Sequence, residues 1–175
     1  KGGSKLLGAI LNGQGAWRES FDEETINAWL AVDFEENHGK ILPARVTNPR
    51  VAIEGDRLRM GFQWSAGPFS TVVQVTIGVW VPKPNWLAVE LHGAKAGLAP
   101  MPTTQLRRLL ERAAEKAGCE VTWKRNDTTL VGLVRLPNSS GVILRQADIR
   151  DGKLSLAGRS TRISRLATPG KIDLR

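Results

Sequence analysis

The chain has 175 residues, 41% of them hydrophobic, and carries 25 Lys and Arg against 17 Asp and Glu for a formal charge of +8 at neutral pH. This length supports one well-buried core and is short for two, and a mean hydropathy of −0.22 reads as globular rather than disordered or bilayer-embedded. The longest apolar runs, residues 72–81 and 6–11, are too short to cross a membrane as helices.

The opening Lys1-Gly2-Gly3-Ser4 has no Met and fits either a tag remnant or a cut after an anchor or signal. Leu6-Leu7 and Ile10-Leu11 have helical spacing that ends at Asn12-Gly13, so residues 1–19 read as a membrane-proximal or tag-containing leader. Ser20-Phe21-Asp22-Glu23 is a capping box with Ser20 as N-cap. With Ile26, Trp29 and Leu30 on one side, it predicts a helix over 21–34. Gly55-Asp56 then closes a two-residue hairpin that sets Ile53 opposite Leu58 and Val51 opposite Met60.

A break over 64–68 leads to a long strand. Val73, Val75, Ile77, Val79 and Val81 share one of its faces, and Val72, Gln74, Thr76, Gly78 and Trp80 share the other. The hydrophobic pattern selects a five-residue return loop, 82–86, which pairs Val81 with Leu87 and Val79 with Val89. Gly97-Leu98-Ala99-Pro100-Met101-Pro102 leads into a helix over 103–117, with Leu106, Leu109, Leu110 and Ala113 against the sheet and Gly118 at C′. Strands over 120–125 and 128–136 flank an Asn126-Asp127 turn. Asp151-Gly152 then closes a second hairpin of the same design as the first, with Ile149 opposite Leu154 and Ala147 opposite Leu156.

Both hairpins keep their apolar pairs on one face. The expected fold is α+β: a single domain over 20–160, in which a curved, mainly antiparallel β-sheet packs around one or two amphipathic helices, followed by a basic C-terminal tail over 161–175.

Few side chains point to chemistry. Cys119 has no disulfide partner and reads as a small buried hydrophobe. His38 and His92 are the only imidazoles, and neither has a Cys, Glu or His at ligand spacing, so no metal site is expected. Asp22, Glu23, Glu24, Glu35 and Glu36 gather about the first helix, where acids complement the dipole. There is no G-x-S-x-G, no metal-ligand spacing and no glycine-rich phosphate loop. No catalytic residue and no cofactor are therefore assigned, and the chain reads as non-enzymatic.

Of the +8 charge, +6 lies in residues 120–175, which hold 11 Lys/Arg against 5 Asp/Glu. Arg145, Arg150 and Lys153, on the second hairpin, are the candidate surface for anionic lipid headgroups or acidic polymers. The plainer reading is a solvated face that blunts edge pairing. Nucleic acid is not expected, because no RNP sequence, helix-turn-helix pattern or finger spacing is present.

Phe21-Asp22-Glu23-Glu24-Thr25-Ile26-Asn27-Ala28-Trp29-Leu30 resembles the helix that opens the extracytoplasmic part of YpmS-like bacterial proteins, and Gly97-Leu98-Ala99-Pro100-Met101-Pro102 resembles their step into the second helix. Residues 141–158 are similar to the last hairpin of LmeA-like envelope proteins. The resemblance runs over about 21–159 and departs in the absence of a visible anchor and in the six Trp. It implies an extracytoplasmic, membrane-associated place in the periplasm or cell envelope, a sheet wrapped around a helix, and lipid binding. It carries no catalytic residues.

The leading expectation is thus a non-catalytic cell-envelope domain that binds a lipid or other apolar ligand near a membrane surface. Phe62, Trp64, Phe69 and Trp80 are the candidate ligand-binding walls, since aromatics add area with few rotamers. Core filling is the plainer role for any one of them. The alternative is a structural or adaptor domain that uses sheet edges or the basic face to bind an envelope partner.

Overall fold

The computed structural model describes residues 15–34, 36, 40, 42–137 and 141–161. The helical spacing over 6–11, His38, Glu35 and residues 162–175 of the tail lie outside the described residues. Strand β1 (Gly15–Asp22) leads into helix α1 (Glu23–Trp29), which continues as a π turn over Leu30–Phe34. Strands β2 (Val46–Glu54), β3 (Arg57–Ala66), β4 (Phe69–Lys83) and β5 (Trp86–Ala96) follow, then the short β6 (Ala99–Pro100) and helix α2 (Thr103–Lys116). Strands β7 (Glu120–Asn126), β8 (Thr129–Arg135), β9 (Val142–Arg150) and β10 (Lys153–Ser160) follow as the last elements of the described residues.

The fold is α+β, as expected, and every strand pair is antiparallel. There are two sheets rather than one: β2-β3-β4-β5-β8-β7, with β6 beside β5, and a three-stranded β1-β10-β9. Both hairpins take the expected register, with Ile53 opposite Leu58 and Val51 opposite Met60, and Ile149 opposite Leu154 and Ala147 opposite Leu156. The first turn places only Gly55 at positive φ (61°), whereas the second places both Asp151 (51°) and Gly152 (69°) there.

Four boundaries differ from the sequence reading. Trp64, Ser65 and Ala66, expected in a break over 64–68, extend β3, so that only Gly67-Pro68 form the turn. Ser20 and Phe21 belong to β1, not to a helix. The N-cap is Asp22, whose carboxylate accepts the Thr25 N–H at 2.8 Å, while the Ser20 hydroxyl lies 2.8 Å from that of Ser155 on β10. The Asp22 carboxyl is held below the usual 3.8, first by that bond and then by the charge of Lys153. The β4–β5 loop is the two residues Pro84-Asn85, with Lys83 opposite Trp86. Val79 still faces Val89, because the extra length is absorbed by an irregularity at Val81-Pro82, where proline offers no N–H to the ladder. The β7–β8 turn moves one residue on, so that Asn126 pairs with Thr129 and Asp127 takes φ 49°.

One face of the large sheet forms the core. Leu58, Val73, Val75, Ile77 and Leu91 are buried there with Leu106 of α2 and Ile149 of the small sheet. Of the four α2 residues expected against the sheet, Leu106 alone is buried (2% exposed), and Leu109, Leu110 and Ala113 are half-buried. Leu106→Ala is expected to cost about 2–5 kcal/mol in a denaturant melt. Leu109→Ala should cost less than half as much, since its side chain already borders open space; equal losses would contradict this packing.

Two tryptophans lie over glycines in the neighbouring strand: Trp17 pairs with Gly158, and Trp123 with Gly132. A Cβ on Gly132 would meet the Trp123 ring at 3.0 Å, and one on Gly158 would meet the Trp17 ring at 2.7 Å. Each glycine leaves room for an indole flat against the sheet.

Candidate apolar ligand site

Helix α1 is too short to hold itself on the sheet by packing, and none of its residues is fully buried. It is fastened by side-chain hydrogen bonds to the outer edge of β2. Asn27 Nδ2 donates to the Val51 carbonyl and Asn27 Oδ1 accepts the Val51 N–H, both at 2.8 Å. One step along, the Ile53 N–H donates to Glu23 Oε2 at 3.0 Å. The Asn27 carboxamide thus replaces the peptide group of a neighbouring strand, and the edge of β2 is satisfied at Val51, and by Glu23 at the Ile53 N–H, without a further strand.

Asn85 does the same for β9. Its N–H donates to the Leu144 carbonyl at 2.9 Å, and its Oδ1 accepts the Leu144 N–H at 2.8 Å, which ties the β4–β5 turn to the small sheet.

With α1 fixed and α2 lying on the same face, the two helices roof a cavity of about 210 Å³. Ile26 and Leu30 of α1, Met60 and Phe62 of β3, Val75 and Ile77 of β4, and Leu110 and Ala113 of α2 are among its walls. Among the described residues Arg50 is its one charged lining residue, and Arg50 donates to the Asn27 carbonyl at 3.3 Å. This space is partly open to solvent and lined almost wholly by apolar side chains, and its volume has room for part of an alkyl chain.

Leu109 also lines a second, more open slot of about 330 Å³, formed by Trp64, Thr71, Val73, Ala96 and Met101 under α2. Its rim carries Gln105, Arg108 and Arg112. Arg108 and Arg112, one helical turn apart, make no ion pair or side-chain hydrogen bond among the described residues, while the neighbouring Glu111 pairs with Arg107 at 2.9 Å. Two unpaired cations beside an apolar slot suit an anionic head on an apolar body.

The four aromatics singled out from the sequence do not form one site. Phe62 lines the roofed cavity and Trp64 the neighbouring slot. Phe69, 76% exposed, stands at the β3–β4 turn. Trp80 lies on the opposite face of the sheet, in a polar cleft with Asp56, Arg57, Glu90, His92 and Asp148.

The three basic residues are all exposed, but they are not equally available. Arg150 Nε is 2.9 Å from Asp148, and Lys153 is the register partner of both Arg150 and Asp22. Arg145 sits at the irregularity of the β9–β10 pair, about 16 Å from Arg150 at the rise of a strand.

Two readings of titratable groups also change. His92 does have an acid partner: Glu90 Oε2 lies 3.2 Å from His92 Nε2, and Thr129 donates to Glu90 Oε1 at 2.7 Å. A search at metal-ligand spacing passes over a pair two residues apart on one strand. Cys119 is half-buried, and burial pushes its thiol above the ordinary value, away from the reactive thiolate. No protein-family model, curated protein or solved structure matches the chain.

Proposed function

We propose that this chain is a non-catalytic binding domain for a lipid-like amphiphile, placed outside the cytoplasm near a membrane surface. The observation that carries the reading is the apolar cavity roofed by α1 and α2, with a slot beside it whose rim bears the unpaired Arg108 and Arg112. The alkyl part gains about 0.8 kcal/mol for each CH₂ taken from water, and each arginine adds about 1 kcal/mol toward an anionic group. The envelope location is supported by the resemblance of the first helix and the last hairpin to envelope proteins.

The test is native mass spectrometry and solvent extraction of the purified protein. A copurifying anionic lipid or fatty acid is expected. Ala113→Phe, which fills the cavity from a helix position, should reduce loading severalfold with no loss of stability. Arg108→Glu with Arg112→Glu should lower retention about 10–30-fold, the equivalent of about 2 kcal/mol. Ligand-free protein with unchanged uptake in both variants would reject the reading.

The adaptor alternative has one observation in its favour: β7 ends the large sheet with its outer edge unpaired among the described residues. Clean protein that self-associates through that edge would favour it.

A further inference from the structure

Among the described residues, three of the five exposed large apolar side chains stand at one end of the large sheet: Phe69 (76%), Val72 (51%) and Leu98 (102%). They come together because β4 starts and β5 ends there. The β3–β4 turn, Gly67-Pro68, and the β5–β6 turn, Gly97-Leu98, therefore point the same way. The Gly97 N–H donates to the Val72 carbonyl at 2.8 Å, so Leu98 is beside Val72, and Phe69 is about 10 Å further along the strand. Both turns depend on glycine at φ 61°. Phe69 flanks one tight turn and Leu98 sits in the other, while Val72 lies within β4 with its side chain on the opposite face from Phe69; among the described residues no element covers them.

The surroundings of this end are basic. Arg45 meets it through its carbonyl, which accepts the Ser65 N–H at 3.0 Å, and Lys95 pairs with Pro100 at the root of the second turn. Neither Arg45 nor Lys95 makes an ion pair among the described residues. Arg108 and Arg112 look over the same end from α2, through a slot that includes Trp64 and Thr71. The segments that build the tip, residues 62–74 and 93–110, contain no Asp or Glu.

We infer that this end is a docking tip for an anionic bilayer: Phe69 and Leu98 enter the boundary between headgroups and acyl chains, while Arg45, Lys95, Arg108 and Arg112 meet lipid phosphates. Isolated apolar side chains on projecting turns, ringed by cations, suit a soft interface in which hydrocarbon and anion lie a few ångströms apart. A protein partner would instead be met by a flatter, broader patch. The tip lies at the end opposite the Pro84-Asn85 turn, and it includes none of Arg145, Arg150 and Lys153. Docking does not require that the cavity be filled. It places the open slot beside the membrane.

The test is cosedimentation with vesicles of phosphatidylcholine containing one-third phosphatidylglycerol, at low and high salt. Phe69→Ser with Leu98→Ser should weaken binding at least tenfold at every salt concentration, because the apolar contribution is unscreened. Arg45→Glu with Lys95→Glu should weaken it about tenfold at low salt, with the effect fading as the Debye length falls from about 10 Å toward 3 Å. Arg150→Glu with Lys153→Glu should bind as the wild type does. Circular dichroism and melts confirm that each variant folds. Hydrogen exchange on vesicles gives a second readout, in which amides of 66–71 and 96–99 should slow.

Absence of wild-type binding, undiminished binding by the double-serine variant, or loss confined to the Arg150/Lys153 variant would each overturn the proposal. So would self-association through the tip with no vesicle binding. Vesicle binding by an Ala113→Phe protein that has lost its ligand would leave the tip standing without the cavity, so the two readings fail separately.

Discussion

Gly158→Ala is expected to remove more stability than alanine at any other described strand glycine. A Cβ at that position would lie 2.1 Å from the Ile143 carbonyl oxygen and 2.7 Å from the Trp17 ring. The first neighbour is backbone, held in the β9–β10 pairing, and cannot rotate away. Overpacking a side chain typically costs about 1–3 kcal/mol; a clash with backbone belongs above that range, at roughly 4 kcal/mol. This is a large share of a stability of about 5–15 kcal/mol. Gly132→Ala meets only the Trp123 ring, at 3.0 Å, so that ring can tilt and the loss should be about 1–2 kcal/mol. Urea melts of both variants provide the check. Trp17→Ala placed on Gly158→Ala should recover little, since the carbonyl remains. Full recovery would mean that the indole, not the strand, is the obstacle.

The second large effect is expected at Asn27. Removing its carboxamide leaves the Val51 N–H and carbonyl without their partners and frees α1 from the edge of β2. With each lost or orphaned bond worth about 1–2 kcal/mol, Asn27→Ala should cost roughly 2–4 kcal/mol. Asn27→Asp keeps the acceptor and loses the donor, so it should cost less but still measurably. The change should be local as well as global. Amide exchange at Val51 and Ile53 should accelerate before that of Val73 or Val75 in the core, and ligand retention should fall as the roof loosens. Uniform acceleration across the sheet would show that α1 is not separately fastened.

Short-range regularities made much of this fold readable. The two hairpins were fixed by turn residues and strict alternation, because a slip of one residue would turn Ile53, Leu58, Ile149 and Leu154 to solvent. Helix α2 was equally plain, from its stripe and from Gly118, which sits at φ 69° after the last turn. The same alternation already set Trp80 on the face away from Val79, so its distance from the cavity follows from parity.

The start of α1 was not readable in this way. Ser20 has every local property of an N-cap, yet its partner is Ser155, 135 residues on. Pairing with β10 outweighs the local capping signal. Nor was the site fully legible. Asn27 and Asn85 resemble ordinary polar loop and helix residues until the strand edges they serve come alongside, and Arg108 and Arg112 look like solvated helix charges until the slot beneath them is seen. Which strands meet at long range decides these roles, and periodicity does not encode it.

The pairing of β1 with β10 sets Gly15 directly opposite Ser160. Tension applied through these two flanks would not shear the pair, with all its hydrogen bonds loaded at once. It would peel β1 away from its open end, one rung at a time, starting at Gly15 and reaching Asp22 before α1 feels any load. The domain is thus mechanically weak along that axis whatever its thermodynamic stability, and under force it would give up a strand and then its helical roof while the seven-stranded sheet stays whole.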